Sequence, residues 1–206
     1  MITIYIDRMT SLLSAFICSS THLLISRFRF QTPNAANLIT CLAFQTYFAG
    51  RAAYLSRQDP TLVTASQTIA NLDAIYGYFL YDLAYLFLTT PTSPYIVHHF
   101  IGLYILHQIK QYGAPLYALH EYNMICFVSE CTSPFLQLRH FAKGTSFYPY
   151  LMQFAFYLYG ASRIIGMPIY SMSLIQLLGS KALWTPLLAV YAMSWYWFMK
   201  MWKMIQ

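Results

Sequence analysis

The sequence predicts an all-α polytopic membrane protein of six or seven transmembrane helices, and three observations predict it. Of 206 residues, 58% are hydrophobic and 9% charged, with a mean hydropathy of +0.47. A soluble domain carries about a quarter charged residues, so this surplus of apolar side chains needs a lipid surface to cover. The chain also divides into apolar stretches close to the roughly 20 residues that a hydrocarbon core of ~30 Å requires. Finally, ionisable residues interrupt several of those stretches. Charge at membrane depth is costly, so such residues face a protein interior or cavity and point to function.

Taken in order, residues 1–8 lack a basic n-region and cleavage site, so the first segment, about 9–26, is read as a retained helix ended by Arg27 and Arg29. A turn at Thr32-Pro33-Asn34 leads to the second, about 36–55, closed by Arg57 and Asp59-Pro60, with Arg51 long enough to snorkel. The third runs from about 68 to 88 and ends in the proline-rich turn 89–94. The fourth, about 95–110, carries His98 and His99 and breaks at Gly113-Ala-Pro115. The fifth, about 116–138, contains Glu121, Glu130 and Pro134, the last expected to kink the helix and free a carbonyl. The link 139–144 precedes a sixth segment, about 147–167, with Arg163 near its end. Residues 169–179 read as either a short re-entrant piece or a loop helix, and the last span is about 182–201. Trp184, Trp195, Trp197 and Trp202 crowd a segment end like an interfacial belt. Without repeat, low-complexity tract or linker, residues 1–206 are read as one domain.

The net charge of +6 comes from single, scattered Lys and Arg, so nucleic-acid binding is excluded and capping of spanning helices is the reading. Positive charge divides almost evenly between the two sides of a seven-span topology, which gives a cytosolic C-terminus only a slight bias. Cys18, Cys41, Cys126 and Cys131 have neither disulfide-framework nor zinc spacing and read as small buried hydrophobes, with no metal or cofactor expected.

The chemistry centres on residues 77–139. Adjacent histidines on a helix point about 100° apart, so one can face a cavity while the other packs on a neighbour. Imidazole can serve as base, acid or nucleophile near neutrality; alternatively both rings bond to carbonyls or hydroxyls and lock helices together. Asp82 lies mid-segment with Tyr78 and Tyr85 on its face, and either orients a histidine or pairs with Arg163 to tie two helices. Glu130 and Ser133 share a face, suiting either a substrate cavity or an inter-helix node. Asp73, His107, His120 and Glu121 are read as interfacial.

Gly77-Tyr-Phe-Leu-Tyr81-Asp82, then Val97-His98-His99, then Glu130-Cys-Thr-Ser133-Pro134-Phe-Leu-Gln-Leu-Arg139, then Arg163, resembles the TLC domain, the family of TRAM, the Lag ceramide synthases and a ceroid-lipofuscinosis protein. The likeness spans about 38–203, leaving 9–26 as an extra helix, and looks nearest to the small TLC-domain-containing membrane proteins. It implies an endoplasmic-reticulum or related endomembrane protein with helices around a lipid-accessible cavity, its partners membrane lipids and a fatty acyl chain. By resemblance to the ceramide synthases, His98 and His99 serve as base or acyl-accepting nucleophile, Asp82 as orienting acid, and acyl-CoA as co-substrate. Glu130, Ser133, Tyr78, Tyr81 and Arg163 are the expected substrate-binding residues. The ceramide synthases' His-Asp-x-x-Asp element is missing, with Glu130 in roughly that region. The expected function is transfer of a fatty acyl group from acyl-CoA to a lipid amine or hydroxyl; the alternative is a non-catalytic protein of lipid binding, membrane homeostasis or trafficking.

Overall fold

The computed structural model describes residues 2–26, 35–58, 65–111, 116–179 and 181–206, and these are all-helical. The helices are α1 (Ile2–Ser26), α2 (Ala35–Arg57), α3 (Ala65–Thr89), α4 (Pro94–Gln111), α5 (Leu116–Glu130), α6 (Ser133–Ala142), α7 (Tyr148–Tyr159), α8 (Met167–Leu178) and α9 (Trp184–Ile205). Among the described residues, no helix is long and apolar enough to cross a membrane. The turns at Thr32-Pro33-Asn34, Asp59-Pro60 and Gly113-Ala-Pro115 lie outside the described residues.

Helix α3 is central, packing on α1, α2, α4 and α5. Its buried residues therefore go well round the helix: Leu72, Ile75, Tyr78 and Leu83 join the core, and so do the polar Asn71, Asp73 and Asp82. A helix enclosed on several sides must bury such groups with partners, and Asn71 donates to Asn123 of α5 at 3.1 Å. Asp73, expected at an interface, is 1% exposed. Its position opposite Asp82 faces other helices, because α3 has neighbours on both sides.

Helix α4 starts where its sequence says it should. Pro94 occupies the first turn, where its missing N–H is harmless, and Ser93 Oγ accepts the Tyr95 N–H at 3.3 Å. One turn past His98 comes Gly102: a Cβ there would stand 2.5 Å from the Phe79 ring, so glycine is what lets α3 approach. Phe79 in turn lies edge-on to His99, ring centroids 5.0 Å apart.

Two sequence expectations change. The fifth segment is not one kinked helix: it stops at Glu130, turns through Cys131-Thr132, and restarts as α6 with Pro134 in the first turn, where proline is tolerated. Residues 169–179 are neither re-entrant nor a loop helix. Helix α7 runs into α8 through a π-helical stretch, Gly160–Gly166, making one rod to Leu178. Pro168 gives the Ile164 carbonyl no N–H, and the Tyr191 hydroxyl donates to that carbonyl at 3.3 Å. The rod ends at Gly179, left-handed at φ +60°, whose N–H bonds the Ile175 carbonyl at 2.9 Å.

Candidate functional site

Five elements bring polar groups to one cavity of about 410 Å³: α3 supplies Asp82, α4 supplies His98 and His99, the end of α5 supplies Glu130, the start of α6 supplies Ser133, and the π turn supplies Arg163. The π turn explains Arg163's position. Its wider winding shifts the register of the rod, and such turns recur at functional sites. Tyr78 also lines the cavity.

The two histidines have different surroundings. His99 is committed at both ring nitrogens: Nε2 lies 2.9 Å from Asp82 Oδ2 and Nδ1 lies 2.7 Å from the Tyr95 carbonyl. A carbonyl only accepts, so Nδ1 carries a proton, and a further proton is shared between Nε2 and the carboxylate. Asp82 Oδ1 accepts the Cys41 thiol at 3.6 Å, which gives both carboxylate oxygens a partner. His98 makes no hydrogen bond to any described residue, and its Nδ1 is enclosed with no partner. Its ring stands edge-on to His99 and to Trp197, both at 5.5 Å between centroids. Enclosing a polar nitrogen unpaired costs about 1–3 kcal/mol.

Arg163 and Glu130 are both buried, their nearest atoms (Nη2 and Oε1) 3.7 Å apart, and Nη2 also donates to Ser133 Oγ at 3.4 Å. The guanidinium lies over the Tyr159 ring at 5.3 Å, a cation–π contact. Thus Asp82 does not pair with Arg163, one of the two roles open from sequence. It pairs with His99 while Arg163 takes Glu130, because α3 lies beside α4 and the π turn beside α5.

Of the expected site residues, Asp82, His98, His99, Glu130, Ser133, Arg163 and Tyr78 line the cavity. Tyr81 does not: it turns toward α1 and α2, donating to Asn37 Oδ1 at 2.8 Å and meeting His22 Nδ1 at 2.8 Å. Tyr85 likewise packs on the His22 ring. The sequence reading missed Cys41, Gln45 and Trp197. Gln45 donates to the Tyr78 hydroxyl at 3.1 Å, and Trp197 stacks on Tyr95 at 5.0 Å while closing over His98. Trp197 thus forms part of the cavity wall. Arg139, His140 and Lys200 also line the cavity. Partial enclosure and the nearby Arg139 and Lys143 charges hold the His140 pKa below its usual value.

The four cysteines are free; Cys18, Cys41 and Cys126 are buried and Cys131 is partly exposed. No group of His, Cys, Asp and Glu among the described residues could hold a metal ion. Compared with known proteins, the chain matches no family model, no curated protein and no solved structure.

Proposed function

We propose that the chain is an integral membrane protein of TLC type that transfers a fatty acyl group from an acyl thioester to a lipid amine or hydroxyl. The observation that carries the proposal is an uncommitted imidazole, His98, beside an Asp82-anchored one, His99, in a cavity that apolar and aromatic side chains such as Leu38, Phe79, Leu86 and Trp197 also line. The motif residues support the TLC assignment, since Tyr78, Asp82, His98, His99, Glu130, Ser133, Arg139 and Arg163 all line that cavity.

In the proposed reaction, His98 Nε2 takes a proton from the acceptor amine as its nitrogen attacks the thioester carbonyl carbon. The C–S bond breaks, the proton passes to the departing thiolate, and the products are an amide and a free thiol. A hydroxyl acceptor gives an ester by the same proton path. The Arg163 guanidinium, whose Nε makes no hydrogen bond to a described residue, supplies an N–H donor for the negative charge that builds on the carbonyl oxygen.

Placement in a bilayer is part of the proposal. Helices α1, α2, α3 and α9, of 25, 23, 25 and 22 residues, extend roughly 33–38 Å, enough for a hydrocarbon core of ~30 Å. Mean hydropathy along a helix counts groups that face inward, and Asn71, Asp73, Asp82 and Thr40 are buried. The exposed positions include Phe16, Leu23, Ile165, Leu188 and Tyr196. After expression in cells, the protein is expected to stay in the membrane pellet through alkaline carbonate extraction; release into the supernatant contradicts the placement.

The transfer itself is tested with the purified full chain in detergent, given palmitoyl-CoA and a sphingoid amine. Free thiol and a matching amide are expected together. Palmitoyl-CoA that binds without thiol release across a panel of lipid amines and alcohols makes the cavity a lipid-binding one and removes the transfer reading.

A further inference from the structure

The cavity has a charge asymmetry that the transfer chemistry does not use. Its two carboxylates are neutralised inside, Asp82 by His99 and Glu130 by Arg163. Its lining also includes Gln137, Arg139 and His140 of α6 and Lys200 of α9. His140 and Lys200 are exposed and Arg139 half-buried, and neither Arg139 nor Lys200 forms an ion pair among the described residues. The apolar Leu136, Met201 and Met204 line the same cavity.

We infer that Arg139, His140 and Lys200 form a phosphate-binding subsite at the cavity mouth, so that the occupant is an amphiphile with an anionic phosphate head and an apolar chain. The inference rests on the proposed acyl-transfer reading for the direction in which the chain lies. Cations without counter-ions at the entrance of an apolar channel favour an anionic head over a neutral one. Arginine's planar fork matches two phosphate oxygens at once, and lysine adds a point charge from a second helix. Phosphate chemistry of this kind is carried either by the nucleotide of an acyl-CoA or by a phospholipid headgroup, and the occupant's source is decided by experiment.

The test is equilibrium binding to the full chain in a neutral detergent, with three probes: the non-hydrolysable thioether S-hexadecyl-CoA, dodecyl phosphate, and the phosphate-free S-hexadecyl pantethine-derived thiol ether. The double variant R139Q/K200Q is expected to weaken a phosphate-bearing probe by about tenfold or more and leave the phosphate-free probe unchanged. Loss confined to S-hexadecyl-CoA assigns the subsite to the nucleotide; loss confined to dodecyl phosphate assigns it to a lipid headgroup. Equal weakening of both supports the subsite with no preference between them. If the double variant does not fold, the wild-type salt dependence serves: added salt is expected to raise Kd for the phosphate probes alone. Phosphate probes that bind the variant as tightly as wild type, or wild-type Kd values indifferent to salt, overturn the inference. Because binding needs no turnover, a protein that releases no thiol yet loses phosphate affinity in R139Q/K200Q contradicts the transfer reading and leaves the subsite standing.

Discussion

His98→Ala is expected to lower thiol release from palmitoyl-CoA by about 10²–10⁴-fold, the usual contribution of a positioned acid–base group, with little loss of thermal stability. The two halves of that result have separate causes. Activity falls because the imidazole without partners is removed. Stability is spared because His98 makes no hydrogen bond to a described residue and its enclosed Nδ1 is itself unfavourable, so alanine relieves a cost while giving up the ring's contacts with Trp197 and His99. The adjacent position behaves differently. His99→Ala leaves the Asp82 carboxylate buried without its counter-charge, and both activity and stability fall. Two neighbouring histidines thus separate into a reacting group and a positioning group. Equal stability losses at both positions, measured by thermal unfolding in detergent, would contradict that division.

Arg163→Met is expected to be the most destabilising single change in the cavity. It removes one partner of a buried ion pair, which costs about 3–5 kcal/mol and, in a chain of 206 residues, lowers Tm by roughly 10 °C. The cause is Glu130, left at 8% exposure with no cation beside it, rather than the loss of arginine's packing alone. The double variant R163M/E130Q is therefore expected to regain much of the loss, because the glutamine is neutral and leaves no unpaired charge buried. A double variant no more stable than R163M assigns the effect to packing over Tyr159 instead.

How much of this was legible in the sequence follows from what each residue's signal is made of. The helical segments and the paired histidines stand out because period and composition are local properties. The Asp82–His99 contact was one of two readings, and sequence could not choose: it does not say that α4 rather than the Arg163 turn lies beside α3. Pro134 was placed in a kink because proline breaks helices; the structure puts it in the first turn of a new one, which the same chemistry allows. Pro168 looked like the edge of a separate piece, yet the π turn before it and the Tyr191 hydroxyl absorb the disruption. Cys41 and Trp197 were invisible as site residues because cysteine usually fills space and tryptophan usually marks an interface. Only their neighbours, Asp82 and His98, give them a role.

The central claim is that His98 offers a free ring nitrogen to the cavity while His99 does not. Treating the detergent-solubilised protein with diethyl pyrocarbonate, and locating the adduct by fragmenting the peptide between the two residues, tests it without assuming a substrate. The account predicts carbethoxylation at His98, slowed by palmitoyl-CoA, with His99 unmodified. Modification of His99 at a comparable rate, or a silent His98, contradicts it.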